Sequence, residues 1–139
     1  SLLQIPLAQA LLAPGRTVGV LTPVAEALTP AHFRGVGVAG MPPIEGLPPD
    51  SLFKRDLLEN RTTFDVAAHE REVVAAARRL VDRHPEVGAI VSECANFPVH
   101  SAAVEADLGL PVFDAYTLVS WFHAGLRPRA FTAGASREA

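Results

Sequence analysis

Val87-Gly88-Ala89-Ile90-Val91-Ser92-Glu93-Cys94-Ala95-Asn96-Phe97-Pro98 is the stretch that decides the fold. Its first five residues form a continuous apolar run of strand length with no polar alternation. That pattern predicts a strand buried on both faces, as in a parallel sheet covered by helices. Polar residues follow at once, and Pro98 stands where a proline opens a helix. Strand, tight turn and helix therefore succeed one another within a dozen residues, and Cys94 falls on the turn.

The same reading extends in both directions. Thr17-Val18-Gly19-Val20-Leu21 is a second apolar run, and Thr22-Pro23 ends it. Gly35-Val36-Gly37-Val38-Ala39 reads as a weaker strand and Leu110-Pro111-Val112-Phe113 as a short one. Between them lie helix patterns. One is opened by Thr29-Pro30, and a long amphipathic one, capped by Asp65, carries Val66, Val73, Val74, Ala77, Leu80 and Val81 mostly on one face. Another ends at Gly109, and a last one is capped by Asp114. Gly40 to Asp50, with four prolines and two glycines, reads as a loop. Alternating strands and helices predict an α/β fold: a four-stranded parallel sheet in a flavodoxin-like, three-layer lobe. The expected organisation is a helix over 1–14, the lobe over 15–126 and a disordered tail over 127–139.

Composition narrows the function classes. The chain has 139 residues, with 12 basic against 15 acidic and a net charge of −3, so it lacks the basic footprint of a nucleic-acid or anionic-membrane binder. No apolar run approaches the roughly 20 residues that span a bilayer. A single cysteine makes no internal disulfide, which points to a reducing, cytoplasmic setting. The start at Ser1, without a Met and already helical in pattern, suggests a fragment of a longer protein.

In open parallel sheets, ligands bind beyond the carboxyl ends of the strands where strand order reverses. If the first and third strands are neighbours, those ends are Leu21-Thr22 and Ser92 to Asn96. A helix N-terminus favours negative charge and lowers a thiol pKa from about 8.5 towards neutrality. Cys94 is thus a candidate reactive thiolate, although lone cysteines are often simply buried. Asn96 and Thr22 are candidate carboxylate contacts; Glu93 reads as a turn residue, and His100, four residues after Asn96, as a surface histidine in preference to one that faces the cleft. The histidines at 32, 69, 84 and 123 share no metal-ligand spacing with Cys94, so no metal is assigned.

The turn Ile90 to Pro98, with Gly109-Leu110-Pro111-Val112-Phe113-Asp114 downstream, resembles the second half of the aspartate/glutamate racemase superfamily. That superfamily includes hydantoin racemase, maleate isomerase and arylmalonate decarboxylase. The likeness covers about Ser1 to Leu126. It implies one lobe of a two-lobed enzyme that moves a proton at the α-carbon of a small amino or carboxylic acid, with Cys94 catalytic. It places Ala95 and Asn96 at the substrate and needs no pyridoxal phosphate or metal. A racemase or isomerase is the expected activity. A decarboxylase-like enzyme and a non-catalytic anion-binding lobe are the alternatives. Members often dimerise, and the apolar first helix would be exposed in a lone lobe, so a homo-oligomer is expected.

Overall fold

The computed structural model describes residues 1–131. The architecture is α/β with four parallel strands: β1 (Thr17–Thr22), β2 (Ile44–Gly46), β3 (Val87–Ser92) and β4 (Val112–Phe113), in the order β2-β1-β3-β4. The helices are α1 (Ile5–Ala10), α2 (Pro30–Gly35), α3 (Leu52–Leu58), α4 (Val66–Arg83), α5 (Ser101–Leu108) and α6 (Ala115–Leu126). Strand order reverses between β1 and β3, as the flavodoxin-like expectation requires.

Alternation along the strands builds the two sides of the sheet. Val18, Val20 and Val91 pack with Ile5, Ala8 and Phe33 on the α1–α2 side. Leu21, Val87 and Ile90 pack with Leu80, Phe97 and Val104 on the side of α4 and α5. β1 approaches α4 closely at Gly19, where an added Cβ would meet Leu80 Cδ2 at 2.9 Å. No residue with a side chain of ordinary size fits there without a shift.

The second strand lies elsewhere than the sequence suggests. Residues 35–39 end α2 instead: Gly37 takes a positive φ of 80°, and the Val38 amide donates to Phe33 O at 2.9 Å. The valines read as a strand are the hook that closes a helix, with Val38 resting on the core. The real β2 lies inside the proline-rich segment read as a loop. Its middle residue, Glu45, is buried, accepting from Arg79 Nε at 2.8 Å and Arg83 Nη1 at 2.9 Å on α4. Two cations on the neighbouring helix hold a three-residue edge strand that hydrophobic patterning alone does not reveal.

Caps set the remaining boundaries as expected. Asp65 accepts from the Ala68 amide at α4, and Asp114 with Thr117 forms a capping box at α6. Gly109 ends α5 at φ 64°. α1 lies on the lobe through buried Ile5 and Ala8, while Leu3, Leu7 and Leu11 stay exposed. α6 has no buried residue, and Tyr116, Val119, Trp121, Phe122 and Leu126 are all exposed along it. Most of the expected disordered tail, residues 132–139, lies outside the described residues. No helix among the described residues is long and apolar enough to cross a membrane.

Candidate functional site

The carboxyl ends of β1 and β3 come together as expected. Thr22 Oγ1 donates to Glu93 Oε2 at 2.9 Å, and the Glu93 amide donates to Leu21 O at 2.8 Å. Ser1 Oγ donates to the carbonyls of Ser92 and Glu93 at 2.6 and 3.0 Å. Thr22 is buried and committed to Glu93, so the free hydroxyl expected at a carboxylate is absent from this edge. Ala95 and Asn96, by contrast, are exposed on the turn.

Cys94 is on the turn but faces inward. It is 9% exposed and packs in the core with Phe53, Phe97 and Val104. Burial pushes its pKa up; the N–H of Asn96, 3.4 Å from Sγ, pulls the other way, and the Glu93 carboxylate adds to the rise. The expectation of a lowered pKa is therefore corrected. Pro98–His100 form a 3-10 turn, and α5 begins only at Ser101 and runs eight residues, so its amides stand a turn away from the sulfur. A neutral buried thiol is a poor nucleophile. Iodoacetamide at neutral pH is expected to alkylate Cys94 in the folded chain more slowly than in the urea-unfolded chain. A faster rate in the folded chain would contradict this placement.

Beside the turn lies a cavity of about 620 Å³ whose walls come from α3 and the loop after it, the start of α4, and residues 95–100. Its polar residues are Asp56, Asn60, Arg61, His69, Asn96 and His100, set among Phe53, Leu57, Phe64, Val66 and Val99. His69 Nε2 and Asp56 Oδ2 are 2.9 Å apart, and both residues are buried. Phe64 stacks on the His69 ring at 5.2 Å, and Phe53 meets it edge-on at 5.1 Å. Burial alone would raise the Asp56 carboxyl, but the bonds from His69 and Arg55 outweigh it and hold it below the usual range. With the carboxylate on Nε2, the neutral imidazole carries its proton there and leaves Nδ1 as the basic atom.

His100 is 2% exposed, which corrects its reading as a surface residue. Its Nδ1 has no hydrogen-bond partner, and the closest carboxylate atom, Glu70 Oε2, is 4.0 Å away. Burial pushes its pKa down, opposed by Glu70 and aided by His69. Sequence reasoning missed the Asp56–His69 pair as well. The signal was present: His69 precedes Val73, Ala76 and Leu80 on the buried face of α4, and Asp56 follows Phe53 by three residues on the buried face of α3. A titratable residue on an apolar stripe wants a partner.

No protein-family model matches the chain, and no solved structure matches it. Over 69 residues, 50% of this chain, it is 35% identical to dimethylsulfoniopropionate lyase 5 of Emiliania huxleyi strain CCMP1516. Over 53 residues, 38% of this chain, it is 38% identical to a dimethylsulfoniopropionate lyase of Durusdinium sp. clade D. The matched stretches make up 14% and 18% of those proteins, so the chain spans less than a fifth of either. Both relatives are named as lyases. The expectation of a racemase or isomerase is corrected by that finding, and neither name bears on a catalytic cysteine.

Proposed function

We propose that this chain is an α/β lobe of a lyase that acts on a small carboxylate of the dimethylsulfoniopropionate kind, and that the lobe is of the aspartate/glutamate racemase type in its fold. The observation that carries the reading is the likeness of half the chain to a lyase of that name. The cavity beside the β3 turn supports it, because it joins a buried histidine–carboxylate pair to an apolar rim.

The chemistry asks for little beyond such a site. A base takes a proton from the carbon next to the carboxylate, and the C–H electron pair becomes the C=C bond. The β-carbon–sulfur bond breaks with its electrons going to sulfur, so dimethyl sulfide leaves neutral and acrylate remains. The step needs neither an oxidant nor water. His69, oriented by Asp56, is the group we assign to the proton, in the manner of histidines held by carboxylates elsewhere. Ala95 and Asn96 meet the carboxylate end from the turn. Thr22 and Cys94 lie behind them and hold the turn's shape.

The test is headspace detection of dimethyl sulfide from the purified protein supplied with dimethylsulfoniopropionate. Dimethyl sulfide and acrylate are expected in equal amounts. His69→Asn is expected to lower turnover by on the order of 100-fold or more. Cys94→Ser, with its small change of volume, should lower it far less. Absence of both products from the wild-type protein would overturn the reading. A larger loss in Cys94→Ser than in His69→Asn would overturn the assignment of the base.

A further inference from the structure

We propose that the open ring surface of Phe64 is a subsite for the methylated, cationic end of a ligand, a dimethylsulfonium or quaternary ammonium group, beside the His69 imidazole. The identity of the ligand rests on the lyase reading; the preference of the subsite for such a cation can be measured without it.

Two phenylalanines belong to the described wall of the cavity, and they differ. Phe53 is buried and meets the His69 ring edge-on. Phe64 is 51% exposed, and its ring lies nearly parallel to that of His69, with 13° between the planes and 5.2 Å between the centroids. Leu57 and Val66, in the same wall, are also open to solvent. Large apolar side chains left exposed in a concave wall mark a surface that a ligand covers. Phe64 is the aromatic member of that surface.

The ring suits a methylated cation better than a neutral group. The face of an aromatic ring is its negative side, so it attracts the charge while the methyl groups pack on it as hydrocarbon does. Arg61, the one cation of the described wall, does not oppose this: Glu59 holds it at 2.7 Å, and Asp56 lies 3.6 Å from its Nε. The proposed reaction fixes the position. The sulfur of dimethylsulfoniopropionate stands two bonds from the carbon that gives its proton to His69. The sulfonium therefore lies beside that imidazole, where Phe64 is stacked. Its charge vanishes as the carbon–sulfur bond breaks and the electron pair goes to sulfur. The ring thus holds the bound substrate more strongly than the transition state, and it serves affinity rather than rate.

Isothermal titration of the chain with β-alanine betaine, a trimethylammonium propionate, tests the idea against the analogue that carries a tert-butyl group in place of trimethylammonium. The two have the same shape and differ by the charge. An amine leaves far less readily than a sulfide, so binding is read without turnover. The wild-type chain is expected to prefer the betaine by roughly fivefold. Phe64→Leu, which keeps an apolar side chain but no aromatic face, should bind the two equally, and Phe64→Tyr should keep the preference. Each comparison is between two ligands of one variant, so a general loosening of the cavity cancels. With dimethylsulfoniopropionate as substrate, Phe64→Leu should raise KM several-fold and leave kcat within about twofold. Equal binding of the two compounds by the wild type, binding of neither, a preference that survives in Phe64→Leu or vanishes in Phe64→Tyr, or a loss confined to kcat would overturn the proposal. Preference for the betaine without dimethyl sulfide release overturns only the lyase reading, and release without that preference overturns only this subsite.

Discussion

Phe97→Ala is expected to lower the unfolding free energy by about 3–5 kcal/mol, the range for removing a buried aromatic ring. Phe97 is almost wholly covered and lies in the core with Leu80, Ile90 and Val104. Its ring meets Phe53 edge-on at 5.0 Å, so it joins α3 to the turn that follows β3. Its amide closes that turn on Cys94 O at 3.1 Å, and its carbonyl accepts from His100. No other element can slide in to fill the space, because the sheet backs it on one side and α3 on the other. The expected consequence is a large loss of stability together with faster alkylation of Cys94, as the cover over the thiol loosens. Urea unfolding measures the first and iodoacetamide labelling the second. A loss below about 1 kcal/mol would mean that the turn is not anchored through this ring.

Leu80→Ala is expected to cost about 2–5 kcal/mol, since Leu80 is fully buried between α4 and the sheet. Its effect should couple to Gly19. An alanine at position 19 places its Cβ 2.9 Å from Leu80 Cδ2 and 3.1 Å from Val87, so Gly19→Ala alone should cost about 1–3 kcal/mol by overpacking. When Leu80 is already alanine, the methyl at position 19 enters the space left empty. The double variant should then be more stable than the sum of the two single changes by about 1 kcal/mol or more. Strict additivity in thermal or urea unfolding would show that β1 and α4 do not meet at this pair.

These residues also show what patterning can and cannot reveal. β1 and β3 are legible because both faces are buried, and an uninterrupted apolar run has few other stable placements. α4 is legible because its cap, Asp65, and its apolar stripe agree. β2 is not, because what holds it is ionic and non-local: Glu45 reaches arginines 34 and 38 positions away. Val36 and Val38 mislead for the converse reason, since a helix end folding back on Phe33 needs apolar residues just as a strand does.

The site divides in the same way. Position on the backbone was legible, for Ala95 and Asn96 stand exposed where β1 and β3 end. Side-chain direction was not. A cysteine on a turn can face the helix amides or the core, and Phe53 and Phe97 draw Cys94 into the core. In the sequence His69 shows no metal-ligand spacing with Cys94, and His100 reads as a surface residue. Their significance lies in what tertiary packing sets beside them: a carboxylate from α3 for His69, and a cavity wall without a partner for His100.

Titrating the isotope-labelled chain with dimethylsulfoniopropionate, and following its backbone amides by NMR, tests most directly where a ligand meets this lobe. The largest shifts are predicted at Ala95, Asn96, Val99 and His100 and across Leu57, Arg61 and Val66, which line the cavity beside the β3 turn. Shifts concentrated instead around Gln9, Val38 and Met41, at the cavity on the α1 side, or no shifts at all, would contradict it.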